Sequence, residues 1–162
     1  MKVFVPENAA IPSGLVTPNF KLRMLTIHDL VKDYDAVMTS VDHLKGVFGP
    51  DEIWPVGLTL EEDLIDLGWH QKEFELRNSF AFTVMNLGEN KCLGCVYVDP
   101  AEKSGYDARI ILWVRQSEAQ HGLDDKLYSA VRRWLADKWW FTSVGFPGRE
   151  ITWSDWNALP SV

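Results

Sequence analysis

The stretch of residues 107–139 combines residue types and spacings that could bind and process an anionic ligand. Residues 109–114 form an apolar run typical of a buried strand, and a polar segment, residues 115–121, leads from it to Gly122. An amphipathic helix is predicted from Gly122 onward. Free backbone N–H groups and the positive end of a helix dipole meet at such a junction, and both stabilise negative charge. We therefore expect any ligand of this chain to be phosphate-bearing and to bind here.

Asp107 lies at the start of the same predicted strand and carries a carboxylate that could act as a base. A base must remove a proton from an ammonium group before the neutral amine can act as a nucleophile. The nearby Tyr106 and Trp113 could partly desolvate the carboxylate and so raise its pKa toward the range that this step requires. The alternative is that Asp107 is a loop residue without a chemical role.

Cys92 and Cys95 have the spacing of half a metal site or of a redox pair. A tetrahedral zinc site needs four ligands, however, and the sequence has no second cysteine pair and no histidine pair at helical spacing. In a regular strand these two cysteines would also point to opposite faces. We predict two buried structural cysteines and no bound metal.

Trp69, His70 and Glu73 lie on a predicted helix, where residues three apart share a face. These side chains could line a pocket for an acceptor molecule. The alternative, which we favour, is an ordinary solvated helix face.

Composition limits the classes of partner. The chain has 162 residues, of which 46% are hydrophobic, and this predicts one domain with a sizeable core. A net charge of -7 argues against a nucleic-acid partner and suits a cationic small molecule. No apolar run approaches the ~18 residues of a membrane span. Because residues 1–6 also lack a long apolar stretch, a cytoplasmic location is the default expectation.

The elements that position these residues follow from turn and capping signals. Prolines and a glycine in residues 1–18 predict an extended N-terminal arm, and residues 19–162 predict a single domain. An alternating strand is predicted over residues 20–25. Capping-box spacing then predicts helices that begin after Thr26 and Thr59. The inner side of the second helix is expected to carry these apolar residues: Leu60, Leu64, Leu67 and Phe74.

Later segments complete a mixed sheet. Residues 80–87 and 92–98 predict a hairpin, and residues 144–153 predict a last strand that Pro147 and Gly148 interrupt. The helix after Gly122 is expected to bury one apolar stripe: Leu123, Leu127, Val131, Trp134 and Leu135. A strand, a helix and a strand in succession imply a parallel pair next to the antiparallel hairpin.

Three segments resemble the GNAT superfamily of acyl-CoA-dependent N-acetyltransferases. Residues 20–26 resemble its opening strand and first helix start, residues 93–98 its third strand, and residues 113–114 with 121–127 its acetyl-CoA motif. The resemblance covers about residues 20 to 153. It implies an α/β (α+β) fold with a mixed, mostly antiparallel central sheet flanked by helices.

The resemblance also implies acetyl-CoA as co-substrate and a small-molecule amine as acceptor. It assigns the donor contacts to these residues: Val114, Arg115, Gln120, His121, Gly122, Leu123, Asp124 and Lys126. Asp107 lies near a position where some relatives carry a base-like carboxylate, so it is the implied catalytic residue. The sequence leaves a homodimer open.

The chain departs from the GNAT pattern in two ways. Ala119 and Asp124 replace a Gln or Arg and a small residue of the phosphate motif, and the Asp124 carboxylate would repel a pyrophosphate. Only residues 154–162 follow the last predicted strand, and the last tyrosine is Tyr128. The tyrosine that many relatives place on a later helix as general acid therefore has no counterpart. A catalytically inactive GNAT-like module that binds a ligand or a protein is the alternative prediction.

Overall fold

The fold is built on one sheet in which the strands follow their order along the chain. The computed structural model describes residues 3–162. The six strands are β1 (Gly14–Val16), β2 (Lys21–Met24), β3 (Phe80–Met85), β4 (Cys92–Pro100), β5 (Ala108–Val114) and β6 (Val144–Gly145). All neighbours from β1 to β5 are antiparallel, whereas β5 and β6 are parallel. The predicted mixed, mostly antiparallel sheet is therefore confirmed.

Helices cover both faces of this sheet. They are α1 (Leu30–Met38), α2 (Val41–Leu44), α3 (Leu60–Glu75), α4 (Gln116–Ala119), α5 (Leu123–Lys138) and α6 (Trp153–Ala158), with a 3₁₀ turn at Ile27–Asp29. Within residues 3–162, no helix is both long and apolar enough to span a bilayer.

Side chains of alternate strand residues separate the core into two layers. On β5, Ile110 and Leu112 pack in the layer that contains Leu127 of α5. Ile111 and Trp113 point the other way, into the layer that contains residues of α1 and α3. The predicted stripe of α5 is confirmed, because each of its members is buried: Leu123, Leu127, Val131, Trp134 and Leu135.

The two predicted capping boxes are both formed. Thr26 pairs with Asp29 before α1, and Thr59 pairs with Glu62 before α3. The predicted inner side of α3 is partly wrong, however, since Leu60 and Leu64 are 48% and 40% exposed. The helix instead turns the stripe of Asp63, Leu67, His70 and Phe74 inward, where the buried carboxyl of Asp63 forms a hydrogen bond with Asp33 of α1.

A bulge in the hairpin changes the orientation of the cysteines. Val84 pairs with Gly94 but the next residue, Met85, pairs with Cys92, so Leu93 is an extra residue in β4. The expectation that Cys92 and Cys95 point to opposite faces is therefore wrong, and both lie in the layer beneath α1 and α3. Their thiols are free and buried.

Two segments near the chain ends also differ from the predictions. Pro147 and Gly148 end the last strand early, so β6 covers only Val144–Gly145, and the segment predicted as its continuation leads into α6, which Thr152 caps. Part of the predicted N-terminal arm forms β1, a strand that the sequence did not predict. Because β1 lies at the edge opposite β6, the arm does not extend the sheet beside β6.

Candidate functional site

The segment between β5 and α5 is more helical than its sequence predicted. Residues 116–119 form α4, and main-chain carbonyls accept hydrogen bonds from the N–H groups of every residue from 118 to 122. The expectation of free N–H groups along this segment is therefore wrong, because a helical turn uses them. Anion binding here would depend on the first turn of α5, whose N–H groups have no partner within the helix, and on side chains.

Gly122 allows the chain to turn from α4 into α5. It has a φ of 79° in the left-handed region, where a side chain would be strained. The neighbouring Gln120 and His121 are exposed, and Leu123 is buried against the core. Of these predicted donor contacts, Gln120, His121 and Gly122 thus lie on the accessible surface at the start of α5, whereas Leu123 has a packing role.

Asp124 forms a bidentate ion pair that the sequence did not reveal. Its two carboxylate oxygens each lie 2.7 Å from a guanidinium nitrogen of Arg149. The Arg149 guanidinium also lies 5.8 Å from the centre of the Tyr128 ring. Asp124 is therefore compensated by a fixed cation, and its effect on a nearby phosphate is weaker than that of an isolated carboxylate.

A cleft opens where the parallel strands β5 and β6 stop pairing. Their register covers only Ala108 with Val144 and Arg109 with Gly145. Beyond this point a cavity of about 450 Å³ separates residues 110–114 from residues 147–149, and residues 43–47, Asp124 and Trp153 complete its lining. Among the predicted contacts, Val114 and Asp124 meet in this cleft.

Two side chains cover the open edge of β5. Arg149 Nη2 donates to the Leu112 carbonyl oxygen over 3.4 Å, and His43 Nε2 lies 3.1 Å from the Val114 carbonyl oxygen. These carbonyls point into the cleft rather than toward β4. An extended ligand with amide groups could bind this edge as an additional strand would, if it displaced the two side chains.

The remaining predicted donor contacts lie away from the cleft. Arg115 is buried, and its guanidinium donates to the Cys92 carbonyl, to Asp35 and to Thr39, so it ties β5 to β4 and α1. Lys126 lines a separate surface cavity beside Arg133. The structure therefore does not bring either cation to the Asp124 end of the cleft.

Asp107 holds the turn before β6. Its Oδ2 atom accepts hydrogen bonds from Thr142 N (2.6 Å), Thr142 Oγ1 (2.9 Å) and Ser143 N (3.1 Å). Its own N–H donates to the Ser143 carbonyl. Asp107 thus stands at the paired end of β5 and β6, whereas the cleft begins on the other side of that pairing.

A second, larger cavity lies on the α3 side of the sheet. It has a volume of about 830 Å³ and borders α3, the segment after α2, and the ends of β4 and β5. Its aromatic lining consists of Phe48, Trp54, Trp69 and Tyr97. Its ionisable lining consists of Glu52, Asp66, His70, Glu73, Asp99, Glu102 and Arg109. Trp69, His70 and Glu73 therefore do line a pocket, which was one of the two alternatives.

The charge of this second cavity is negative. Arg109 is its one cationic side chain within residues 3–162, and it contacts both Asp99 (3.2 Å) and Glu102 (3.3 Å). Burial lowers the pKa of His70, although Asp66 and other nearby carboxylates oppose the shift, so burial favours the uncharged imidazole. Carboxylates thus remain in excess.

Aromatic contacts separate the second cavity from the cleft. Trp113 lines the cleft, and its Nε1 donates to the hydroxyl oxygen of Tyr97 in the second cavity over 3.1 Å. The rings of Trp113 and Trp54 lie 6.1 Å apart. A single layer of side chains therefore divides the two spaces.

The sequence did not identify several of these lining residues. Arg149, Trp54 and Tyr97 lie far along the chain from the residues they face, and only Arg149 had a nearby signal, the Pro147-Gly148 interruption. Within residues 3–162, no three His, Cys, Asp or Glu side chains are grouped as a metal site would require.

Comparison with known proteins identifies the fold. No protein-family model and no curated protein matches the chain. Several solved structures match the chain. A ribosomal-protein-S5-alanine acetyltransferase from Vibrio fischeri has a TM-score of 0.59 and 15% identity, over 75% of this chain and 66% of that one. RimL, a ribosomal L7/L12 α-N-protein acetyltransferase in complex with coenzyme A, has a TM-score of 0.59 and 17% identity over the same shares.

A third similar structure is that of MccE, the microcin C7 self-immunity acetyltransferase, in complex with acetyl-CoA and AMP. It has a TM-score of 0.56 and 16% identity, over 78% of this chain and 68% of that one. The chain therefore has the fold of the GNAT acetyltransferases, as the resemblance in its sequence predicted. It spans just under two-thirds of the length of the two ribosomal-protein acetyltransferases.

Proposed function

We propose that this protein is a GNAT-like acetyltransferase that moves an acetyl group from acetyl-CoA to the amine of a small molecule. The observation that carries the proposal is the cleft between β5 and β6, in a sheet with the GNAT fold. An open strand edge beside the N-terminus of a long helix suits an elongated ligand with amide groups at one part and phosphates at another. RimL and MccE, which share the fold, were solved with coenzyme A and acetyl-CoA.

The amide-bearing arm of the donor is proposed to bind along residues 110–114. There it would take the place of Arg149 and His43 on the carbonyls of Leu112 and Val114. The phosphates are proposed to bind at the start of α5, near Gly122. Because Asp124 neutralises Arg149 there, phosphate binding requires Arg149 to exchange its carboxylate partner for the ligand.

A pair of matched substitutions tests the donor site. Asp124→Asn removes the carboxylate that faces the cleft, and Asp125→Asn removes its exposed neighbour in the same helical turn. Both variants lose a similar interaction with the helix dipole. A difference between their affinities for acetyl-CoA therefore reports the position of the phosphates. The affinity for acetyl-CoA, measured by calorimetry, should rise about fivefold for Asp124→Asn, equivalent to about 1 kcal/mol.

The outcomes separate the possibilities. Unchanged affinity for Asp125→Asn and weaker binding for Arg149→Gln would support phosphates beside Arg149. An equal gain for both Asn variants would mean that only the total charge matters. If the folded parent shows neither heat nor a thermal shift with millimolar acetyl-CoA, the donor assignment is wrong, and with it the transfer reaction.

Asp107 is the proposed proton acceptor for the incoming amine; because it lies at the paired end of β5 and β6, outside the cleft, it would act through water. Because it also holds Thr142 and Ser143, a loss of activity in Asp107→Asn could be structural. Thr142→Val removes one of those hydrogen bonds and keeps the carboxylate, so it is the matched control. CoA release against a panel of amines should fall about 10²-fold or more in Asp107→Asn, with a changed pH profile. Equal losses in both variants would show that Asp107 acts only on the fold.

The second candidate function is a catalytically inactive ligand-binding module. The observation that favours it is α4, whose main-chain bonds use the N–H groups that the phosphate motif would otherwise offer. A loosely held donor loses the advantage of correct positioning, so binding can persist without turnover. Acetyl-CoA binding together with no CoA release for any amine would favour this candidate.

A further inference from the structure

We propose that the cavity between α3 and the ends of β4 and β5 binds an organic monocation with an aromatic or apolar body. This proposal rests on the proposed function only where it identifies the bound cation as the acceptor of the acetyl group. The binding of the cation itself does not depend on catalysis. The cavity volume of about 830 Å³ is within the range of small-molecule sites, about 300–1,000 Å³.

Aromatic side chains form the part of the cavity that would hold the apolar body. Phe48 packs edge-on against both Trp54 and Tyr97, with ring centres 5.0 and 5.2 Å apart. Trp69 is 50% exposed, although it is a large apolar side chain at the rim of a concave surface. Such rings attract cations through their faces and are stabilised when an apolar group covers them.

The carboxylates supply the preference for positive charge. Asp99 and Glu102 share Arg109, and Glu73 contacts Lys72 over 2.8 Å, so these three are partly compensated. Asp66 has a weaker partner, since His70 Nε2 lies 3.7 Å from its Oδ2.

The imidazole of His70 does not supply compensating charge. Burial lowers its pKa and so favours the uncharged form. Its ring contacts those of Trp69 and Tyr97, with centres 5.1 and 5.3 Å away. Asp66 is therefore less compensated than Glu73, Asp99 and Glu102, and it lies beside aromatic rings. This arrangement favours an ammonium group attached to an apolar body over a neutral molecule of the same shape.

An organic cation fits this lining better than a metal ion. Calcium takes six to eight oxygen ligands at short distances, and magnesium demands an octahedral set. The carboxylates of the cavity are spread over four segments of chain, and within residues 3–162 no three of the metal-ligating side chain types are grouped closely enough for a metal. An ammonium group needs only one or two carboxylate contacts.

Calorimetry with 2-phenylethylamine and its neutral analogue 2-phenylethanol tests the proposal in the absence of any donor. The amine is expected to bind about tenfold more tightly than the alcohol, the effect of one charge contact and one cation–π contact. Asp66→Asn should reduce the affinity for the amine about fivefold and leave the alcohol unaffected. Trp69→Ala should weaken both ligands. The control is Asp137→Asn, which removes an exposed carboxylate from α5 on the other side of the sheet.

The results decide the proposal without reference to turnover. Equal affinities for amine and alcohol, no binding of either at millimolar concentration, or an equal loss in Asp66→Asn and Asp137→Asn would each overturn it. A thermal melt of each variant confirms that it is folded. If the amine binds as expected but acetyl-CoA does not, the cation site stands and the proposed transfer fails. If acetyl-CoA binds and the amine does not, the donor site stands and the cation site is wrong.

Discussion

A buried pair of carboxyl groups should make the stability of this protein depend on pH. Asp33 of α1 and Asp63 of α3 are only 4% and 2% exposed. Burial raises the pKa of Asp33 well above its ordinary value, and the nearby charge of Asp63 raises it further. Burial raises the pKa of Asp63 as well, although its hydrogen bond with Asp33 opposes the shift. The folded pair therefore retains a proton at pH values where the unfolded chain has both carboxylates ionised.

The sign of the effect follows from proton binding. At any pH between the ordinary aspartate pKa and the raised one, this pair binds one more proton in the folded chain than in the unfolded chain. The free energy of unfolding must then fall as the pH rises through that window, by about 1.4 kcal/mol per pH unit. Below the ordinary aspartate pKa both states are protonated, and this contribution no longer changes with pH.

Asp33→Asn should remove this dependence, because an amide stays neutral and can still donate to Asp63. Urea unfolding at successive pH values from about 5 upward measures this dependence. The slope for one lost proton is about 1.4 kcal/mol per pH unit, and it ends where the pH exceeds the raised pKa. As the pH rises, the free energy of unfolding of the parent should fall relative to that of Asp33→Asn. Asp137→Asn, an exposed change on α5, should leave the slope unchanged.

Two results would refute the reasoning. Parallel stability profiles for the parent and Asp33→Asn would show that no extra proton is retained. A constant loss of stability at every pH would mean that Asp33 contributes a hydrogen bond without a shifted titration.

Three further outcomes are expected. Burial raises the pKa of the Cys92 thiol to about 12, so mass spectrometry should find it alkylated by iodoacetamide at pH 8 far more slowly in the native protein than in urea. Gly94→Ala places a Cβ 2.0 Å from the Trp113 carbonyl oxygen, so β4 and β5 must separate locally, and chemical unfolding should show a loss of about 3 kcal/mol. Thr59→Ala removes the side-chain cap of α3 and should cost about 1 kcal/mol by the same measurement.

Local signals in the sequence were sufficient for most elements. The stripe of α5 repeats at helical spacing from Leu123 to Leu135, and Thr59 with Glu62 has the spacing of a capping box, so each could be predicted without knowledge of the rest of the chain. The hairpin of β3 and β4 was predicted for the same reason. Its bulge was not, because an extra residue at Leu93 depends on how Val84 and Met85 pair across the turn.

The candidate site could be predicted only in outline, because its charges are set by distant partners. The sequence presents Asp124 as an obstacle to phosphate, but Arg149, which follows 25 positions later, compensates it. Arg115 was a plausible phosphate ligand because it is an arginine. Its buried guanidinium instead donates hydrogen bonds to the Cys92 carbonyl and to Asp35. The type and position of a charged residue in this segment therefore predict a binding role only when its tertiary partners are known.

The two proposed ligands meet because of the way β5 uses its residues. Its edge carbonyls, at Leu112 and Val114, point into the cleft proposed for the donor. The side chains of alternate residues, Arg109 and Trp113, point toward the face where the cation cavity lies, and Trp113 borders the cleft as well. Because this strand is apolar on both faces from Ile110 onward, its sequence does not reveal which residues face which ligand. If both proposals hold, an acceptor amine must pass the layer of Trp113, Trp54 and Tyr97 to reach the thioester, so Trp113→Phe, which removes the hydrogen bond to Tyr97, should alter turnover more than the binding of either ligand alone.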